Sequence, residues 1–565
     1  MRNPSPVRRM LALSVAIVAG FALAPAAALA DFAPTNVEVT PETTAAGSNS
    51  DLRIQFGFSD ADEQVKDLIV SLPPGLIGNP TVPEVCTQTQ LDADACPANS
   101  QVGTVTSGVN AYPTPATPVP LTVEGSIYNF TPQPGEPARF GIVLRPAGGL
   151  TGTITLQSGV RLRSDFGLDT VLEDLPTESN GLRTDITSMD LTLNGTVNGG
   201  GFIRKPTSCD SHDVVITANS YATPDSDATA SDAFTTTGCE LLPFTPEFAA
   251  FAKTDGPDDR SVEVTTQIKQ TLDEAGLKTA KVILPQSFGA NQERLAGENL
   301  CSQAEFAAGD CPERSIVGSA VAETPVLDDP IAGDVTVVDP EADTLPLLGL
   351  DLRGPLNLQL LGQFVLETPP DAPRVGTGVR FDGLPDIPIS NFELTFDGDG
   401  DDSLTQSAFD ICDPDMVPAF DLTFDSYAGE TTPFSQPAET ECGGGPPVGG
   451  SKARAKLTGG KRPALQLGAR SSAGIDRVTF RTPKALRFTT NRRSITARTG
   501  QGEPARFAVS RNSIVVRASN ARALRVRVKN AGLRLKQPAQ RIRGEKVGVK
   551  INSGGALSGF KVPIR

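Results

Sequence analysis

Tryptophan is absent from the 565 residues, and histidine occurs once, as His212, beside only four tyrosines and four methionines. A single histidine excludes any mechanism or metal centre that draws two from one chain. Without tryptophan, a sugar-stacking groove loses its best platform. No G-x-S-x-G, H-E-x-x-H, P-loop or glycine-rich dinucleotide signature stands in a credible context. Long helical periodicity is missing as well, since 54 Gly and 47 Pro are scattered throughout a chain that is 38% hydrophobic. That composition favours strands and turns over coiled coils, and the length suits several domains.

The chain begins with an export pattern. Arg2, Arg8 and Arg9 precede an apolar run from Met10 to Leu23, and Ala28-Leu29-Ala30 gives a small-residue cleavage site before Asp31. The run is shorter than the ~20 residues of a comfortable span, and no second one follows. Residues 1–30 are therefore expected to be a signal peptide cut between Ala30 and Asp31. No lipobox cysteine lies nearby, so the mature protein is expected to be secreted or cell-surface associated, with neither lipid anchor nor transmembrane segment.

All eight cysteines lie beyond that leader, as expected for an oxidising compartment. Cys86 to Cys96 is ten positions, as is Cys301 to Cys311; Cys209 to Cys239 is thirty, as is Cys412 to Cys442. The flanks agree too. Val65 to Pro73 aligns with Leu277 to Pro285, Cys86-Thr87-Gln88 with Cys301-Ser302-Gln303, and Cys96-Pro97 with Cys311-Pro312. Asp190 to Gly195 answers Glu393 to Gly398. The chain reads as a tandem duplication of units about two hundred residues long. Common folds imply common pairing, which leaves three patterns within each unit, and the short-range one is simplest. Zinc is the competing use of Cys209 and His212, but His212 answers Asp415 in the second copy while both cysteines persist.

Both copies read as strands. Leu52, Ile54, Phe56 and Phe58 alternate with polar or small residues, and Val262, Val264, Thr266 and Ile268 keep that register. Pro73-Pro74-Gly75, Asn79-Pro80, Asn194-Gly195 and Asp397-Gly398 are expected as turns or hairpins. Short helices are expected only over Glu84–Leu91 and Asn299–Ala307. The fold class is all-β: tandem antiparallel β-sandwiches stapled by disulfides, two small sandwiches per copy, followed by a small basic β-domain. The boundaries are 31–243, 244–442, a Gly/Pro linker at 443–450, and 451–565.

Leu72-Pro73-Pro74-Gly75-Leu76-Ile77-Gly78-Asn79-Pro80, followed by Cys86 and Cys96-Pro97, resembles a large family of secreted, uncharacterised tandem-repeat proteins of high-GC Gram-positive bacteria. Gly135 to Gly141, Pro206-Thr207-Ser208-Cys209 and Gly238-Cys239 through Phe244 match the same pattern, and the similarity covers roughly residues 32–446. Copy two departs from it with Asp410-Ile411 before the cysteine and Gln292 in place of Pro80. The resemblance implies a tandem, disulfide-bearing exported architecture and supplies no catalytic residue or cofactor.

The net charge of −16 hides a separation: residues 31–450 balance at −44 and residues 451–565 at +25. A +25 domain on an acidic body is expected to bind an anionic cell-envelope polymer, or to fold back onto its own acidic repeats. Nucleic acid is not expected, because Phe480, Phe488, Phe507 and Phe560 are sparse and no recognition motif appears. Ser211-His212-Asp213 spells a triad but cannot converge, since neighbouring strand side chains point to opposite faces. Asp397, Asp399 and Asp401 resemble the start of a calcium loop that lacks glycine at its sixth position and a carboxylate at its twelfth. The leading expectation is a non-enzymatic structural or binding protein of the envelope without cofactor. A carboxylate-based hydrolase and a calcium-dependent adhesin are the rivals.

Overall fold

The computed structural model describes residues 32–565 apart from 60–62, 115–116, 147–152, 180, 255–259, 342–343, 369–374, 399–402, 412, 414–416, 443–450, 459–461, 484, 490 and 554–555. The expected leader with Ala30 and Asp31, the 443–450 linker, and Asp399, Asp401 and Cys412 thus lie outside the described residues. So does the side chain of Cys442, and with it the Cys412–Cys442 pairing.

The chain is built from strands. The first body contains β1 (Pro34–Pro41), β2 (Leu52–Phe58), β3 (Val65–Leu72), β4 (Gln101–Thr114), β5 (Thr117–Phe130), β6 (Arg139–Pro146), β7 (Ile154–Leu162), β8 (Leu168–Leu172), β9 (Leu182–Leu193), β10 (Ser211–Ser220) and β11 (Ala228–Thr235). They form one antiparallel sheet in the order β1-β2-β9-β4-β5-β6-β7-β8-β3-β10-β11. The second body contains β12 (Glu247–Thr254), β13 (Glu263–Lys269), β14 (Leu277–Ile283), β15 (Ile316–Glu323), β16 (Ile331–Val338), β17 (Leu347–Arg353), β18 (Asn357–Glu367), β19 (Gly376–Phe381), β20 (Asn391–Phe396), β21 (Ala419–Ser426) and β22 (Thr431–Pro437). Its order is β12-β13-β20-β15-β16-β17-β18-β19-β14-β21-β22. The two orders are identical strand for strand.

Each sheet curls until its ends meet. In the first, the Val39 N–H of β1 donates to the Asp232 carboxylate of β11 at 2.8 Å. In the second, β23 (Glu439–Cys442), which continues from β22, pairs in parallel with β12. One curled sheet per body replaces the two small sandwiches expected. The physical reason is that alternation fixes only which side chains face inward; it does not say whether the inner face meets another sheet or the same one. Leu52, Ile54, Phe56 and Phe58 are all buried in the first core, and Val264 and Ile268 in the second.

The helices are shorter and later than expected. They are α1 (Gln88–Asp92) and α2 (Gln303–Ala308), and Thr87 and Ser302 cap them in capping boxes with Gln90 and Glu305; a third short helix, α3 (Ala539–Ile542), stands where none is expected. Cys86 and Cys301 cannot join them because their N–H groups are used by the sheets, donating to the Asn129 and Val337 carbonyls. Asn194-Gly195 is not a hairpin tip: a Cβ on Gly195 would lie 2.2 Å from the Ser50 backbone, so glycine serves close approach there. The tight turn falls instead at Asn198-Gly199, both at positive φ.

Residues 452–563 make a separate two-layer unit. Its four-stranded sheet runs β24 (Lys452–Thr458), β25 (Ala464–Arg470), β30 (Ala523–Val528), β27 (Ile495–Thr499). Its five-stranded sheet runs β28 (Arg506–Val509), β29 (Ser513–Arg517), β26 (Arg477–Arg481), β31 (Lys546–Ser553), β32 (Ala556–Pro563). Leu465, Leu467, Leu524 and Val526 from the first layer pack with Val478, Phe480, Ile514 and Val549 from the second. Gly502 and Gly135, which open the shared hexapeptide, sit at φ +94° and +93°, so the reused sequence is reused turn geometry.

Candidate functional site

Among the described residues there are three disulfides: Cys86–Cys96, Cys209–Cys239 and Cys301–Cys311. The two short ones sit in matching surroundings. Cys86 packs with Leu91 and Phe130, and Cys301 with Phe306 and Val338. His212 is buried, its Nε2 within 3.2 Å of both the Ser208 carbonyl and the Thr236 hydroxyl, a structural placement beside the Cys209–Cys239 bridge. Of the calcium-loop candidates only Asp397 is described, and its carboxylate is held by Arg481.

The five-stranded sheet of the basic unit lies on the outer face of the second body. Arg477 is buried between Glu393, at 2.8 Å, and Glu323, at 3.5 Å. Arg517 also binds Glu323, and Lys550 binds Glu263 at 2.9 Å. Around the margin Arg487 and Lys536 share Glu313, Arg511 meets Asp310, Arg492 meets Asp329 and Arg506 meets Asp328. Ala508 and Val515 form a small apolar contact with Val321 and Ala332 inside this ring. Burial alone would raise the Glu263 carboxyl, but the Lys550 and Arg481 charges hold it down at about 2. Its contribution to stability is therefore present above the usual carboxylate range and is lost as pH falls towards 2.

Beside this interface a cleft of 760 Å³ is lined by Asp310, Glu313, Asp334, Asp351 and several arginines. Asp334 stands opposite Asp351 across β16 and β17, and its Oδ1 has no hydrogen-bond partner. Burial pushes its carboxyl up to about 6, reinforced by Asp351 and opposed by Arg511. A raised carboxylate is a penalty above its folded pKa that is relieved as pH falls from about 6 towards 4. Asp334→Asn is expected to raise the melting temperature at pH 7 and leave it unchanged near pH 4, with about 1.4 kcal/mol for each unit of the shift removed. Equal melting of the two proteins at pH 7 would refute this. Ser126 and Val143 occupy the matching rungs of the first body, so the acidic pair is not shared by the two sheets.

The four-stranded sheet faces away from the body. Lys452, Arg454 and Lys456 on β24, Arg470 on β25, Arg498 on β27, and Arg525 and Arg527 on β30 are all exposed on its outer side. Lys452 stands opposite Arg470, and Arg525 opposite Arg498. None of the seven forms an ion pair with a described residue, and their four strands carry no Asp or Glu. Like charges across adjacent strands cost stability. The sequence signal was available: Lys-Ala-Arg-Ala-Lys-Leu has the period of a strand with one cationic face.

An apolar cavity of 230 Å³ is lined by the second body and partly by the first. Leu348, Leu350 and Leu352 of β17, Leu358 of β18 and Val379 of β19 line it, with Phe140 from β6. At the junction of the two bodies Thr207 donates from its N–H and hydroxyl to Asp386, both at 2.7 Å. Burial raises the Asp386 carboxyl despite those bonds.

No family model matches the chain, and no curated protein does. Among solved structures the chain is similar to dimeric latent PorU from Porphyromonas gingivalis at 8% identity and a TM-score of 0.16. That alignment covers 94% of this chain and 34% of that one, so the chain spans about a third of PorU. A putative membrane anchored protein from Corynebacterium diphtheriae aligns at 7% identity and a TM-score of 0.16, over 94% of this chain and 93% of that one. Neither likeness is strong enough to carry an argument. Among the described residues no helix is long and apolar enough to cross a membrane, and no group of three or more His, Cys, Asp or Glu is arranged to hold a metal ion.

Proposed function

We propose that this is an exported, non-enzymatic binding protein of the cell envelope, in which a duplicated β body is held to anionic surface polymer by its basic unit. The observation that carries the reading is the division of labour between the two basic sheets. One spends Arg477, Arg481, Arg517 and Lys550 on the acidic body. The other turns seven unpaired cations outward with no acid among them. Summed charge of one sign on a single face attracts polyanions and is screened by salt within a Debye length of ~8–10 Å. The identical strand orders support duplication of the body, and the three disulfides suit an oxidising destination outside the cytoplasm.

The test is binding of the mature chain to a poly(glycerol phosphate) surface over graded salt. Wild-type retention is expected to fall steeply as salt rises. The triple variant Arg454→Gln, Arg525→Gln, Arg527→Gln is expected to bind weaker by roughly a hundredfold, at about 1 kcal/mol for each cation near an anionic surface. It should melt no lower than wild type, since like charges are being separated. Retention indifferent to salt, or to the three substitutions, would reject the reading.

A further inference from the structure

The apolar cavity of the second body has a lining and a cover that together select a ligand. Leu348, Leu350 and Leu352 all line it from one strand, a span of about 13 Å along β17 at ~3.3 Å per residue. Glu323 is the one titratable residue in its lining, and that carboxylate is already committed to Arg477 and Arg517. The other polar groups are threonine hydroxyls and backbone. A sugar, nucleotide or peptide would lose its hydration there without replacement hydrogen bonds.

The cover is the connection between β15 and β16. Val326 and Leu327 line the cavity from it. On its far side Asp328 and Asp329 are gripped by Arg506 and Arg492 of the basic unit. Thr81 of the first body donates to the Pro325 carbonyl at 3.2 Å. All three parts of the molecule therefore meet on the segment that closes the cavity.

We propose that the cavity binds one unbranched acyl chain, the tail of a fatty acid or lipid, beneath the 324–330 segment, with the polar head outside. Lined by leucines and phenylalanines with a few threonine hydroxyls, the site offers a hydrocarbon tail dispersion contacts along its length. It offers nothing to hold a carboxylate within. This inference is independent of polymer binding, which uses the opposite side of the basic unit.

The experiment uses the mature full-length chain and cis-parinaric acid, whose fluorescence rises in a dry environment. Saturable binding of one probe per chain, displaced by hexadecanoate, is expected, together with a rise in melting temperature that grows with hexadecanoate concentration. Val379→Phe, which fills the cavity from β19, is expected to weaken probe binding by roughly tenfold or more while leaving salt-dependent retention on poly(glycerol phosphate) intact. Leu350→Phe, from the neighbouring wall, guards against one substitution that fails to fold. Absence of saturable binding by wild type, or full binding by a folded cavity-filled variant, overturns the proposal. Loss of polymer retention with probe binding intact would instead count against the envelope reading alone.

Discussion

Arg477→Met is expected to destabilise the docked basic unit by about 3–5 kcal/mol, the usual cost of removing one partner from a buried charge cluster. Arg477 is buried, and the two carboxylates it joins, Glu323 and Glu393, are at least as inaccessible. Methionine keeps much of the length and packing, so the effect isolates the charge. Glu323 retains Arg517, and Glu393 retains the Gln267 amide at 2.9 Å, which places the loss towards the lower end. The readout is calorimetry: residues 451–565 should unfold at a lower temperature than the body instead of with it. Adding Glu393→Gln to Arg477→Met should recover much of the loss, because what costs is the uncompensated buried charge. The rim pairs should behave differently. Arg506–Asp328 is exposed on both sides, and salt screens it, so Arg506→Ala should cost no more than about 1 kcal/mol. If Arg477→Met melts in the wild-type transition, the buried cluster is not what holds the unit on.

The sequence showed much of this fold because its signals were local. Alternation from Leu52 to Phe58 placed β2, and equal cysteine spacings pointed to the three short-range bridges that are described. What it concealed were relations between faces. The +25 charge of residues 451–565 was a count; that Arg477, Arg481 and Lys550 face inward while Lys452, Arg454 and Arg525 face outward follows from which sheet each strand joins. From the count alone, outward binding and folding back are alternatives; the two sheets instead leave one cationic face free while the other is docked. The cavity had no signal at all. Leu350 and Val379 are apolar inward residues whether a neighbour or a void stands before them. Asn194-Gly195 misled for a related reason, since glycine serves turns and close backbone approach alike.

The second large effect is expected at Cys209–Cys239. Replacing both by serine removes a bridge of thirty-residue separation, worth about 3.7 kcal/mol on the loop-entropy model against about 2.8 for the ten-residue bridges. The position adds to the difference. Cys209 lies two residues before β10, and Cys239 follows β11 at the edge where the first sheet meets its own beginning, through Asp232 to Val39 and the Ala45–Thr237 bridge. Two residues before Cys209, Thr207 donates to Asp386 of the second body. Opening this disulfide therefore loosens both the closure of the first sheet and the contact between the bodies. The Cys86–Cys96 bridge ties only α1 against β5 and β6. Urea unfolding of Cys209→Ser/Cys239→Ser and of Cys86→Ser/Cys96→Ser under the same conditions should thus show the larger loss in the first pair. That pair should also unfold over a broader transition, as its two bodies separate before either melts. Equal losses would mean that chain entropy and local closure do not control this seam; a smaller loss at Cys209–Cys239 would mean that β10 and β11 hold the edge without it.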